Sequence, residues 1–144
     1  MKILVDTSVL VAAMVTGHPA HEWALPWLQR IRDRADIGFV AAHSIAELYS
    51  ILSTLPVKPR IPPSTVKQMI QSNVFEICEI IPLSVQDYAM IIRHLAKSNI
   101  IGGVTYDALI LYTAFKVDID RIITLNKKDF CRIYPEIVKK VISP

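Results

Sequence analysis

The stretch KILVDTSVLVAA, residues 2–13, sets a run of branched apolar residues directly against one aspartate, Asp6, with Thr7 and Ser8 leading into a second apolar run. An apolar run without polar alternation predicts a strand buried on both faces, as in parallel sheets covered by helices. The second run predicts a helix that starts at once. Asp6 therefore stands where the carboxyl end of a strand meets a helix N-terminus.

The same alternation recurs along the chain. HPAHEWALPWLQRIRDR (18–34) has helical spacing, with Pro26 expected to break it into two helices. IGFVAA (37–42) predicts a strand and HSIAELYSILSTL (43–55) a helix; FEICEIIPL (75–83) leads into the helix SVQDYAMIIRHLAK (84–97). GGVTYDALILYTAFKV (102–117) predicts a helix introduced by two glycines, RIITL (121–125) a strand, NKKDFCRIY (126–134) a helix and VKKVIS (138–143) a last strand. Strands alternating with helices imply an α/β class, an α/β/α sandwich with a central, mostly parallel sheet. LPVKPRIPPS (55–64) holds four of the nine prolines and predicts an extended connector between two helices.

A chain of 144 residues has the size of one domain, so residues 1–144 are expected to form a single unit. Hydrophobic residues make up 52% but lie in short runs, which excludes a helical membrane span. No charged leader with an apolar segment precedes the first strand, and a cytoplasmic protein is expected. Cys78 and Cys131 match no zinc or C-x-x-C spacing and are read as core or near-surface thiols. Between Arg121 and Lys140 six basic residues stand against two acids, a surplus compatible with a polyanion and equally with a solvated face.

The acids follow the strands. Asp6 ends the first; Glu47 is expected in the first turn of the helix after IGFVAA, and Asp107 in the first turn of the helix near Thr105; Asn126 and Asp129 follow RIITL. In an open parallel sheet, strand carboxyl ends and helix N-termini share the ligand-binding edge. Each residue also has a capping explanation: Asp6 or Thr7 for the first helix, a Ser44–Glu47 capping box, Thr105 with Asp107, and Asn126 with Asp129. Four such coincidences on one edge point to a carboxylate cluster. Clustered carboxylates raise one another's pKa unless a cation neutralises them. Oxygen donors without histidine or cysteine favour Mg²⁺ or Mn²⁺, and Mg²⁺ takes one or two carboxylates directly and keeps water for the rest. Such an ion suits hydrolysis at phosphorus.

In this order and spacing, VDTSVL (5–10), AELYSIL (46–52), TYDALILYTA (105–114) and TLNKKDF (124–130) resemble the motifs of the PIN-domain ribonucleases. The length is similar to that of the VapC-type toxins of bacterial toxin–antitoxin pairs. The resemblance covers essentially the whole chain. It implies a metal-dependent endoribonuclease acting on RNA, a small protein antitoxin as partner, and a homodimer. Asp6, Glu47 and Asp107 match the family's acidic metal-site positions; Ser8 matches a hydroxyl residue near that site and Thr124 the threonine of the last motif. Where the commoner motif has an aspartate two residues after that threonine, this chain has Asn126. Asparagine brings no charge, so a second metal should bind weakly or not at all, with Asp129 either supplying charge or capping the last helix. The expected site is one metal held chiefly by Asp6 and Asp107, with Glu47 direct or through water.

Other residues are read structurally. His18 and His21 are expected at a surface helix start, His43 as a polar strand-end residue close to the cleft, and His94 on an amphipathic helix. Trp23 and Trp27 have core spacing, and Tyr106 and Tyr112 are expected to pack, with base stacking as the alternative. Two competing functions remain: a phosphatase with Asp6 as nucleophile, disfavoured because DTS lacks a second aspartate two residues on, and a non-catalytic RNA-binding or assembly module, which Asn126 supports.

Overall fold

A computed structural model describes residues 1–144. Strand β1 (Lys2–Val5) is followed by α1 (Thr7–Met14) and α2 (His21–Arg32), then β2 (Ile37–Ala41), α3 (Ala42–Thr54), α4 (Pro63–Ile70) running into a π-helical turn at Gln71–Phe75, and β3 (Cys78–Ile81). Next come α5 (Val85–Lys97), α6 (Val104–Lys116), β4 (Arg121–Ile123), α7 (Lys127–Ile133), a 3₁₀ turn (Pro135–Lys140) and β5 (Val141–Ile142). The strand order is β3-β2-β1-β4-β5, with every neighbouring pair parallel.

Side-chain alternation divides the strands between two cores. Ile3, Val5, Val40 and Ile123 face one side, packed with α1, α2, α3 and α4; Leu4, Phe39, Ala41 and Ile122 face the other, packed with α5, α6 and α7. Both faces of the central strands are therefore covered, which is why KILV carries no polar residue after Lys2. The chain builds β1, β2 and β3 in one direction and then returns to place β4 on the other side of β1. That reversal leaves a crevice at the carboxyl ends of β1 and β4, the usual ligand position in such sheets.

Several local expectations need correction. Pro26 does not break its helix: α2 is continuous, because Ala24, Leu28 and Ile31 bury one stripe while Pro26 faces solvent. The Ser44–Glu47 capping box does not form, since α3 already starts at Ala42 and Ser44 is buried inside its first turn with its hydroxyl unpartnered. The capping box of this chain is at Ser84 and Asp87, ahead of α5. Thr105 likewise lies within α6, whose N-cap is Gly103, and Gly102 takes the turn at φ +80. No helix is long and apolar enough to cross a membrane.

Candidate active site

Asp6 takes the N-cap position of α1, yet its carboxylate does no capping. Instead Oδ2 accepts hydrogen bonds from the Ser8 hydroxyl at 2.6 Å and the Thr124 hydroxyl at 2.8 Å. Each of these hydroxyls also accepts a backbone N–H, Ser8 from Leu125 and Thr124 from Asn126, so its proton is directed toward Asp6. Backbone pairing carries the same seam, with Asp6 N–H donating to the Ile123 carbonyl at 3.0 Å. The result is a carboxylate 2% exposed and held in one orientation at the crevice between β1 and β4. Burial raises its pKa against the lowering effect of the two hydroxyls.

Two further acids reach the same edge. Asp107, in the first turn of α6, is pushed up to about 7 by burial and then by the charges of Asp6, Asp129 and Glu47, in that order. Glu47 is raised by burial and by Asp6. It sits one turn deeper in its helix than the sequence suggests, because α3 begins two residues before Ser44. Asp107 thus feels the charges of Asp6, Asp129 and Glu47, and Glu47 feels that of Asp6. Asn126 is the exposed N-cap position of α7 and makes no side-chain capping bond.

No three acidic, histidine or cysteine side chains close on a single point with metal-ligand geometry. The donors nevertheless fit a hydrated divalent cation: all are oxygens, their charges repel, and the buried Glu47 Oε1 lacks a hydrogen-bond partner. His43 Nε2 lies 3.0 Å from that oxygen without forming an aligned hydrogen bond. Burial lowers the His43 pKa, which favours the neutral ring and leaves Glu47 uncompensated. The His43–Glu47 contact is an i,i+4 pair on α3.

The remaining residues sort clearly. His18 Nδ1 accepts the Ala20 N–H and His21 Nδ1 pairs with the Ala12 carbonyl, which fixes both rings at the start of α2. His94 bonds the Ile133 carbonyl and stacks on Tyr134. Trp23 and Trp27 meet edge to face and pack on the core, as does Tyr112 on the opposite side, but Tyr106 is exposed, contrary to the packing expected for it. The basic residues of the last segment divide: exposed Lys127 and Lys128 open α7 at the edge that carries the acids, whereas Arg121 is the first residue of β4 and Lys140 directly precedes β5, at the opposite edge. An apolar groove of about 880 Å³ between α3 and α4 includes none of the acids.

The PIN domain family model matches residues 3–135. Ribonuclease VapC40 of Mycobacterium tuberculosis is 37% identical over 109 residues, covering 76% of this chain and 75% of the relative. The fold agrees with that of M. tuberculosis VapC20, described as a sarcin-ricin loop cleaving toxin, at a TM-score of 0.65 and 14% identity over 83% of this chain and 86% of that one. It also agrees with VapBC2 from Rickettsia felis, solved bound to a DNA fragment from its promoter, at 0.64 and 22% over 93% and 94%. With the model spanning nearly the whole sheet and the acid-bearing edge, the chain belongs to the PIN-domain family and, within it, to the VapC group.

Proposed function

We propose that residues 1–144 form one nuclease domain that hydrolyses RNA phosphodiester bonds, with Mg²⁺ or Mn²⁺ bound at Asp6 and Asp107 and Glu47 contributing directly or through water. The single observation that carries this reading is the buried Asp6 carboxylate, held by the Ser8 and Thr124 hydroxyls at the crevice of a parallel sheet. A bound divalent ion supplies Lewis-acid stabilisation of phosphate charge and activation of water. The chain's own part is to hold the donors. Ser8 and Thr124 fix Asp6, α6 presents Asp107 from its first turn, and Lys127 and Lys128 place positive charge beside the acids for the RNA backbone.

The chain acts as the toxin of a toxin–antitoxin pair in the cytoplasm, restrained by a small antitoxin protein. A homodimer is supported by the exposed apolar residues Val85, Tyr88 and Ile92 on α5. The alternative, a non-catalytic RNA-binding module, draws support from Asn126 and from acids that do not converge on one point. Incubating the purified chain with mixed structured RNA in Mg²⁺ or Mn²⁺ separates the two. Cutting that a chelator stops and added cation restores is the expected result; RNA bound equally with and without cation, and never cut, would establish the binding module.

A further inference from the structure

Tyr106 directly precedes Asp107 on α6 and is 54% exposed. Its ring lies flat on the imidazole of His43, with centroids 5.1 Å apart and planes within 3°. His43, Glu47, Ala46, Ser50 and Tyr106 line one open concavity of about 290 Å³, so the stack and an acid of the cluster share a wall. An aromatic pair that served only to fill the core would be covered, as the His94–Tyr134 stack is by Phe115 and α7. Here one face of Tyr106 is backed by His43 and the residue stays half in water.

We infer that Tyr106, backed by His43, is the stacking platform for an unpaired nucleobase next to the phosphate that is cut. The inference rests on the ribonuclease reading and adds a substrate subsite to it. A carboxylate cluster repels a polyanion, so the chain needs contacts that hold RNA without relying on charge at the acids themselves. Stacking does this for any base, because every base has a π-face. A base inside a duplex has its faces occupied; the platform therefore selects nucleotides that are unstacked or easily splayed out. His43 backs this platform by holding the Tyr106 ring parallel to its own.

The test uses an oligoribonucleotide with a single cut site, intact or with an abasic ribose at either nucleotide flanking the cut. It is assayed against the unmodified chain, Tyr106→Phe and Tyr106→Ala. In the unmodified chain one abasic position should lower kcat/KM roughly ten- to hundredfold, mainly through KM, and Tyr106→Ala should lower it comparably on the intact RNA. Tyr106→Phe keeps the ring face and should stay within about twofold. In Tyr106→Ala the abasic position should cost nothing further. Full cleavage of both abasic RNAs by the unmodified chain would overturn the platform irrespective of how any variant folds, as would penalties that multiply in Tyr106→Ala. An unmodified chain that cuts no RNA would instead bring down the ribonuclease reading, and the platform with it.

Discussion

The Thr124 hydroxyl donates to Asp6 Oδ2 at 2.8 Å although the two residues are 118 positions apart. That bond ties the carboxyl ends of β1 and β4 together at the point where the sheet reverses its order. Thr124 is fully buried and its oxygen also accepts the Asn126 N–H, so Thr124→Val removes two hydrogen bonds, leaving Asp6 Oδ2 with the Ser8 hydroxyl alone and the Asn126 N–H without its side-chain acceptor. Urea unfolding should show a loss of about 1–3 kcal/mol. Because the same hydroxyl orients Asp6, divalent-ion affinity should fall roughly ten- to hundredfold in calorimetric titration. A variant as stable and as tightly metal-binding as the unmodified chain would remove Thr124 from the site.

Asp107 makes the metal-free protein sensitive to pH. Its folded pKa of about 7 lies above the ordinary 3.8, so the proton binds the folded state more tightly than the unfolded one. The stability this group contributes is complete below 3.8 and is lost as pH rises through about 7. Asp107→Asn should therefore raise the metal-free Tm by about 2–4 °C at pH near 8 and lose that advantage near pH 4. A bound cation should compete with the same proton, so metal affinity should weaken as pH drops below about 7. Melting curves with and without cation across this range check both statements.

Asp129 tests whether the last motif contributes charge in place of the aspartate that Asn126 lacks. Its charge is among the causes of the raised Asp107 pKa. Asp129→Asn should lower that pKa, observable by carbon NMR of the carboxyl groups, while α7 stays folded. An unmoved Asp107 would restrict Asp129 to its place in the first turn of α7.

Gly38 tests the packing that supports the sheet. A Cβ at this position would stand 2.6 Å from Ile31 Cδ1 and 2.8 Å from its Cγ2, and Ile31 is buried on α2. Gly38→Ala must displace that side chain, at a cost of about 1–3 kcal/mol in chemical denaturation. Unchanged stability would show that α2 can move away from β2 freely.

The strands were readable because burial on both faces leaves an unambiguous apolar run. KILV matches β1 residue for residue, and RIITL and IGFVAA contain β4 and β2. Helix starts were harder. The oxygen-bearing residues Ser44 and Thr105 offered caps that the chain does not use: α3 follows β2 without a loop, and α6 starts one residue earlier than Thr105. The start at Ala42 puts Glu47 in the second turn of α3, a turn beyond the place a Ser44 cap implies. Pro26 misled in the other direction, because tertiary burial of Ala24, Leu28 and Ile31 outweighs a missing hydrogen bond on the solvent face. Among the site residues, Ser8 is local to Asp6, but the Thr124 bond and the exposure of Tyr106 depend on how distant segments meet.

In the proposed site Asp6 and Asp107 act together at the edge of the sheet. Cleavage of one RNA in Mg²⁺ or Mn²⁺ by the unmodified chain, Asp6→Asn and Asp107→Asn, with melting curves taken on the same samples, tests this most directly. Each variant should melt cooperatively and cut at least about a hundredfold more slowly. Full activity in either folded variant would contradict the proposed site.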